Sequence, residues 1–187
     1  KKITRVWIFK KPIGFVSSNK EQFKQKSFFR LIPNHFPRMV SAGRLDINSD
    51  GLMVLTNNPN LTSFLESPEN QITRKYLVKV FGKVPDDLEE ITNKKLIIDG
   101  VIYSDVNIKV LTHKTNNNIM EILLKEGKNR EIRKILNNYS LKVKKLTRVG
   151  FGPFKLNNIE PGRIVEQSKS ELKKKFNLLN FKDENSL

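Results

Sequence analysis

Between Arg74 and Phe81 the chain alternates, with Tyr76, Val78 and Val80 on one side and Lys75, Leu77 and Lys79 on the other. A period of two sustained over that length specifies a strand buried on one face, so the rest of the chain must supply an apolar layer to cover it. Residues 106–111 and 119–124 repeat the pattern on either side of Thr115-Asn116-Asn117-Asn118 and read as an antiparallel hairpin. Further short strands are expected over residues 5–10 and 14–18, split by Pro12 and Gly14, over 52–56, and over 143–149. The helices predicted between them are short. One runs over residues 27–32 and ends at Pro33. A second is capped by Asn60, carries Leu61, Phe64 and Leu65 and is stopped by Pro68. An acidic helix follows Pro85 through Ile91, and another spans about residues 129–137. From Ser168 a Lys-rich tail is helical at best. Hairpins outnumber crossover helices and no internal repeat is present, so the reading is α+β with a mainly antiparallel mixed sheet flanked by helices. The chain reads as one unit, 1–187, with two subdomains sharing one sheet, about 1–55 and 56–165, and the tail 168–187.

Composition narrows the chemistry. The 187 residues contain no Cys and two His, His35 and His113, which excludes a disulfide framework, a Cys zinc site and a thiol nucleophile. Neither His has a Ser or carboxylate at motif spacing, so a His-based hydrolase ranks low. No apolar run reaches the ~18 residues of a membrane helix, and the Lys-Lys start lacks the apolar core of a signal peptide. A cytoplasmic protein without a membrane partner is expected. Lys1 stands where a complete chain would start with Met, as in a piece of a longer protein.

The formal charge is +16, in a chain with 26 Lys, 20 Asn and a single Ala, Ala42. Placement says more than the total. Residues 1–46 hold 11 basic against 2 acidic side chains, residues 125–155 hold 10 against 2, and the remainder is balanced at 14 against 15. Seven of the nine Arg lie in those two blocks, and Arg offers the planar donor fork that suits phosphate. The blocks read as a nucleic-acid surface rather than a merely solvated face.

Within the first block lies Gly43-Arg44-Leu45-Asp46-Ile47-Asn48-Ser49-Asp50-Gly51, feeding the strand from Leu52. Asp46, Asn48, Asp50 and Gly51 match half of an EF-hand loop, but the twelfth position is Asn57 rather than Glu and strand replaces the second helix, so calcium is rejected and no metal is expected. A polar turn is the plain alternative. The second block contains Lys125-Glu126-Gly127-Lys128-Asn129-Arg130-Glu131-Ile132-Arg133. There Asn129 can cap a helix whose start attracts anions, Arg130 and Arg133 share a face, and Ile132, Ile135 and Leu136 pack inward. A cationic helix start needs something negative opposite, either a phosphate or a carboxylate such as Asp46. Tyr76, on the apolar face of its strand, is either a core residue or a site residue.

In order along the chain, Lys11-Pro12-Ile13-Gly14-Phe15-Val16, the Gly43-to-Asn57 run, Arg74-Lys75-Tyr76-Leu77-Val78, Glu126-to-Arg133 and Arg148-Val149-Gly150-Phe151-Gly152-Pro153 resemble the successive motifs of the RsuA/RluB-type ribosomal RNA pseudouridine synthases. The likeness spans about residues 6–165. Departures are mild: Asn58 stands where the family usually has Asp, and Ser49 where Thr is common. The resemblance implies the pseudouridine synthase fold with a central active-site cleft, and isomerisation of a flipped uridine in ribosomal RNA without a cofactor. It implies Asp46 as the catalytic carboxylate, Arg133 as its ion-pair partner and Tyr76 against the uracil. Ile132 would pack near the base, Arg44 would enter the space the nucleotide vacates, and Lys128, Asn129, Arg130 and Arg148 would bind substrate. Residues 148–153 and Phe81-Gly82-Lys83-Val84 resemble the large-subunit branch more than the small-subunit one. The family usually carries an upstream S4 RNA-binding domain, which this chain lacks, and a monomer is expected. Two other activities use similar groups. A non-catalytic RNA-binding or ribosome-assembly module explains the charge blocks but not an Asp in their midst, and a uracil-releasing glycosylase differs only in its product.

Overall fold

The computed structural model describes residues 2–18, 20, 21, 24–128 and 130–186. Asn129, expected to cap a helix and bind substrate, lies outside the described residues. In chain order the strands and α-helices are β1 (Val6–Lys11), β2 (Phe15–Val16), β3 (Lys26–Ser27), β4 (Val40–Ala42), β5 (Asp50–Thr56), α1 (Pro59–Glu66), β6 (Arg74–Phe81), α2 (Leu88–Thr92), β7 (Leu96–Ile98), β8 (Val101–Tyr103), β9 (Asn107–Val110), β10 (Asn117–Leu124), α3 (Glu131–Asn138), β11 (Lys142–Phe151), β12 (Phe154–Lys155), β13 (Ile164–Glu166) and α4 (Lys169–Leu179).

One sheet organises the molecule in the order β13-β1-β5-β11-β6-β10-β9, with β12 added to β11 and β4 to β5. Among the described residues only β5 and β11 run parallel within it, matching Thr147 with Asp50 and Arg148 with Gly51. That seam is very close. Gly51 has φ 115°, and a Cβ there would lie 2.3 Å from the Arg148 carbonyl oxygen, so only glycine admits the pairing. On its other side β11 pairs antiparallel with β6, placing Arg148 opposite Tyr76. The two long-range pairings thereby bring the segment just before β5 to the face that carries Tyr76.

Burial follows the periods. β6 alternates buried and exposed throughout, whereas β1 and β5 are buried on both faces. Trp7, Phe9, Met53 and Leu55 join Tyr76, Val78, Val80, Met120 and Ile122 in one core, covered by Ile132, Ile135 and Leu136 of α3. Their chain neighbours Val6, Ile8, Leu52 and Val54 point the other way and pack with Leu61 and Leu65 of α1 and Leu172 and Phe176 of α4. Each fully buried side chain of this size contributes about 1.5–3 kcal/mol. β1 and β5 are therefore the most heavily covered part of the sheet, and the site is built against them.

Three local expectations are corrected. Helix α1 is capped by Asn58, not Asn60: Pro59 at the first helical position has no N–H, so the Asn58 side chain accepts from the Asn60 N–H at 3.0 Å. Helix α3 starts at Glu131, and Arg130 precedes it in the left-handed region at φ 51° without a side-chain cap. The C-terminal segment is fully integrated. Ser168 caps α4 by accepting from the Glu171 N–H, Phe181 joins Leu172 and Phe176 in the second core, and the Thr4 N–H donates to the Asn185 carbonyl at 2.9 Å. Lys169, Lys173 and Lys174 occupy the solvent side of an amphipathic helix, while the half-buried Lys175 lies over the Phe154 ring and donates to Gln167.

Candidate active site

The segment from Gly43 to Ser49 is a loop between β4 and β5, and most of its backbone groups have no ladder to pair with. Side chains and neighbouring amides satisfy them instead. Ser17 clamps Leu45 twice, its hydroxyl donating to the carbonyl at 2.7 Å and accepting from the N–H at 2.8 Å. The Gly14 N–H donates to the Ile47 carbonyl at 2.8 Å, and the Ser49 N–H turns back to the Asp46 carbonyl at 3.0 Å. Cations complete the frame. The Lys11 ammonium donates to the Ser49 carbonyl at 2.6 Å and to the Pro12 carbonyl at 3.0 Å. Arg133 donates to the Asn48 carbonyl at 3.0 Å and the Ser49 hydroxyl at 3.2 Å. Arg148 donates from Nη2 to the carbonyls of Gly43 at 3.1 Å and Leu52 at 2.8 Å, and from Nε to Leu52 at 3.0 Å.

This frame aims the Asp46 carboxylate at the second basic block. Arg130 Nη1 donates to Asp46 Oδ2 at 3.2 Å, and Arg133 Nε lies 3.5 Å from the same oxygen. Arg130 and Arg133 thus project together from the start of α3, as their spacing predicts, and both face the carboxylate. The hydrogen bond to Asp46 comes from Arg130, which sequence reasoning placed on the substrate, while the hydrogen bonds of Arg133 go from Nη2 to the Asn48 carbonyl and the Ser49 hydroxyl. Half-buried, Arg133 is easier to deprotonate than a free guanidinium, chiefly through burial and then through the nearby Arg130 charge, with Asp46 opposing both. Arg guanidinium nevertheless stays charged in proteins.

Asp46 keeps 24% of its side-chain surface open to solvent and lines a cleft of about 70 Å³ with Arg44, Leu45, Tyr76, Ile132 and Leu146. Tyr76 and Ile132 are buried members of the core whose edges form the apolar wall. Arg44 is exposed on the rim. Lys128, also on the rim, donates to the Ile102 carbonyl and stands over the Tyr103 ring, which ties it to the β7–β8 ribbon. A carboxylate beside an aromatic and aliphatic wall, with cations around its mouth, can receive an anionic chain carrying a planar base and act on the sugar.

Arg148 requires a correction. Expected on the substrate, it is 2% exposed and its donors are spent on backbone carbonyls, so it shapes the Asp46 loop from beneath. Burial lowers its pKa, with Tyr76 acting in the opposite direction. Sequence reasoning also missed Lys11, which burial pushes down to about 8, and Ser17. The motif containing Lys11 was visible, but nothing in a linear sequence distinguishes a lysine under a loop from one in solvent. Among the described residues no cluster of three or more His, Asp or Glu is arranged to hold a metal ion, and no helix is long and apolar enough to cross a membrane.

A family model described as RNA pseudouridylate synthase matches residues 5–138. An "uncharacterized RNA pseudouridine synthase" of Rickettsia bellii is 42% identical over 166 residues, covering 89% of this chain and 72% of the relative. The "ribosomal large subunit pseudouridine synthase B" of Buchnera aphidicola subsp. Schizaphis graminum is 34% identical over 188 residues, covering 98% of this chain and 73% of that one. Among solved structures, a crystal structure of a pseudouridylate synthase superposes with a TM-score of 0.82 at 21% identity over 93% of this chain and 74% of that chain, a likeness of fold.

Proposed function

The chain belongs to the RNA pseudouridylate synthase family and isomerises uridine to pseudouridine in RNA, and from that premise we propose that Asp46 is its catalytic carboxylate and ribosomal RNA of the large subunit its substrate. Residues 1–187 then comprise the catalytic domain, acting as a monomer in the cytoplasm. The reaction breaks the bond between uracil N1 and ribose C1′, turns the base and joins C5 to C1′, while C5 loses a proton and N1 gains one. It consumes neither water nor electrons. The observation that carries the reading is the Asp46 carboxylate, held by Arg130 and Arg133 at the mouth of a cleft walled by Tyr76 and Ile132.

Asp46 acts on the ribose, as nucleophile at C1′ or base at C2′, and the paired arginines favour its ionised form when RNA displaces water. Tyr76 lies against the uracil. The cleft of about 70 Å³ opens to solvent past the Arg44 and Arg130 side chains, which a flipped base entering it meets first. The rim is what can move: the Arg130 side chain is 42% exposed and Arg44 is in solvent, whereas the loop beneath Asp46 is clamped at Leu45, Ile47 and Ser49. An incoming phosphate can take Arg130 from Asp46 and leave Arg133 as its remaining partner. The large-subunit assignment draws support from the Buchnera relative's name and from the sequence at residues 148–153.

Asp46→Asn keeps the volume and removes the charge. Single-turnover assays on an RNA known to be modified should find no turnover and RNA affinity within a few-fold of wild type, and more than about one per cent residual activity would sink the assignment. Mapping new pseudouridines after incubation with unmodified total ribosomal RNA decides the substrate, since a product confined to small-subunit RNA would overturn that part.

A further inference from the structure

The layer of α1 and α4 that covers β1 and β5 ends near β11, at Phe151 and Phe154. On that side of the sheet, away from Asp46, the strands β11, β6, β10 and β9 turn a bare face to solvent. Tyr76, Val78 and Val80 of β6 point into the core, so Lys75, Leu77, Lys79 and Phe81 point out, and Leu77 and Phe81 are 38% and 45% exposed. The register extends this face sideways. Ile119 and Glu121 of β10 stand opposite Lys79 and Leu77, Lys109 of β9 opposite Glu121, and Lys142 and Lys145 of β11 opposite Phe81 and Lys79.

Glu121 is the single acidic residue of these four strands, and it pairs with Lys75 at 3.3 Å. Lys79, Lys109, Lys142, Lys144 and Lys145 are all exposed and have no carboxylate partner among the described residues. Two features gather cations where regular strand geometry would separate or avoid them. A bulge in β11 between Val143 and Lys145 breaks the alternation, so that Lys145 stands opposite Lys79 while Lys144 lies over the Phe81 ring, 5.6 Å from its centre. Successive lysines thus serve one face. Lys145 and Lys79 are directly opposed like charges, an arrangement that weakens a sheet by itself. Together they flank a groove of about 190 Å³ lined also by Leu77, Ile119 and Thr147. A polyanion lying along that groove converts the repulsion into attraction.

We propose that this face is a second RNA-binding surface, which takes a single-stranded segment of the substrate with its phosphates on Lys79, Lys144 and Lys145 and a base against Phe81. Charge selects a polyanion, and the apolar side chains select its form. A duplex hides the faces of its bases and leaves Leu77, Ile119 and Phe81 nothing apolar to cover them, whereas an unpaired strand can lay a base on an exposed ring and its phosphates on the lysines around it. A second copy of the chain, bringing the same lysines, is repelled. The fold thereby divides the second basic block: Arg130 and Arg133 reach Asp46, while Lys142, Lys144 and Lys145 serve the opposite face. Two surfaces on one RNA raise affinity through effective concentration. The inference rests on RNA being the substrate and is independent of the role of Asp46.

Fluorescence anisotropy with a labelled oligouridylate of ~12 nucleotides provides the test. The double variant Lys79→Gln/Lys145→Gln should bind about tenfold more weakly than wild type, with a slope of log K against log salt smaller by about 1.4 for the two lost contacts. Unchanged affinity and slope would place the strand elsewhere and overturn the proposal. Because the substitutions remove opposed cations, the melting temperature should stay at or above that of wild type, which separates lost binding from unfolding. Lys173→Gln/Lys174→Gln removes the same charge from the solvent side of α4 and should cost about threefold at most; losses equal to those of the first pair would make net charge the cause and refute the site. Phe81→Ala should weaken binding about tenfold at an unchanged slope, and wild-type affinity there would overturn the stacked base. A duplex of the same length, or poly-glutamate at equal charge, that displaced the probe as well as unlabelled oligouridylate does would show a face that reads charge alone and refute the assignment to single-stranded RNA. An Asp46→Asn protein that turned over RNA would instead refute the assignment of Asp46 and leave these affinities as they are.

Discussion

Replacing Arg148 with Met separates two roles that a cation beside an active site can have. Met matches the length of the arginine stem and fills most of its space, so the change deletes the donors without opening a large cavity. Two carbonyls, Gly43 and Leu52, lose bonds of 3.1 Å and of 2.8 and 3.0 Å, and the Arg44 carbonyl loses a longer contact at 3.5 Å. A buried carbonyl left without a donor costs about 1–3 kcal/mol, so the loss is roughly 2–6 kcal/mol. Removing a buried guanidinium recovers part of its desolvation penalty, which leaves a net loss of about 3 kcal/mol. For a chain of this size that corresponds to a fall of about 6–12 °C in melting temperature. Because two of the carbonyls belong to the Asp46 loop, the loop should also drift, and a misplacement of about 1 Å can cost 10²-fold in rate. Urea denaturation, single-turnover rates at saturating RNA and the salt dependence of RNA affinity together provide the assay. The expected result is a lower midpoint with an unchanged m value, a reduced rate, and a slope of log K against log salt equal to that of wild type. A phosphate-binding Arg148 would show the reverse: stability within ~0.5 kcal/mol of wild type and a slope smaller by about one. That result would refute the structural role.

At the parallel seam, Gly51→Ala places a methyl group 2.3 Å from the Arg148 carbonyl oxygen at φ 115°, and should destabilise the protein by about 3–4 kcal/mol; a loss below ~1 kcal/mol in thermal unfolding would show that the strands separate easily. Lys11, whose folded value near 8 lies below its unfolded value of 10.5, releases its proton earlier in the native state, so its contribution to stability is present above 10.5 and lost as pH falls through 8. Unfolding free energies measured from pH 8 to 10.5 should therefore rise more for wild type than for Lys11→Met, and identical slopes would place the ammonium in water.

Those contributions of Arg148 and Lys11 mark where the linear sequence stops being legible. The alternation in β6, the polar turn between β9 and β10 and the apolar positions of α3 each predict their element, because one local period decides each of them. Asp46, Arg130 and Arg133 were also legible as a set, since a carboxylate in one basic block and a cationic helix start in another each lack a partner until paired. The parallel join of β5 to β11 was not, because it links residues nearly a hundred positions apart and leaves no trace but Gly51. Burial of Arg148 is decided by that join, so its role was lost with it. In α4 the local signal was present, with Ser168 three residues before Glu171 as a capping pair and Leu172 and Phe176 one turn apart, but the lysines concealed it. The β7–β8 ribbon is shorter than any reliable period, and the Asp99-Gly100 pair between its two apolar triplets is the one local sign of its hairpin turn.

The same chemistry that draws an RNA toward this cleft also builds its floor. A loop that must present a carboxylate outward turns several carbonyl oxygens inward, and with no neighbouring strand to supply N–H groups those oxygens need donors that reach across a gap. Lysine and arginine have the required length, and their charge makes the resulting bonds stronger than neutral ones. Lys11, Arg133 and Arg148 serve in this way, each with its head on loop carbonyls. Their charge carries a second consequence, because each raises the positive potential that an approaching phosphate meets. Buried cations act at a distance, through weak screening, whereas Arg44, Arg130 and Lys128 act by contact. The formal charge of +16 therefore overstates the phosphates this surface can neutralise directly, since part of it is committed to carbonyls before RNA arrives. A cleft organised in this way loses affinity with rising salt through its rim while its geometry, set by the buried cations, stays fixed.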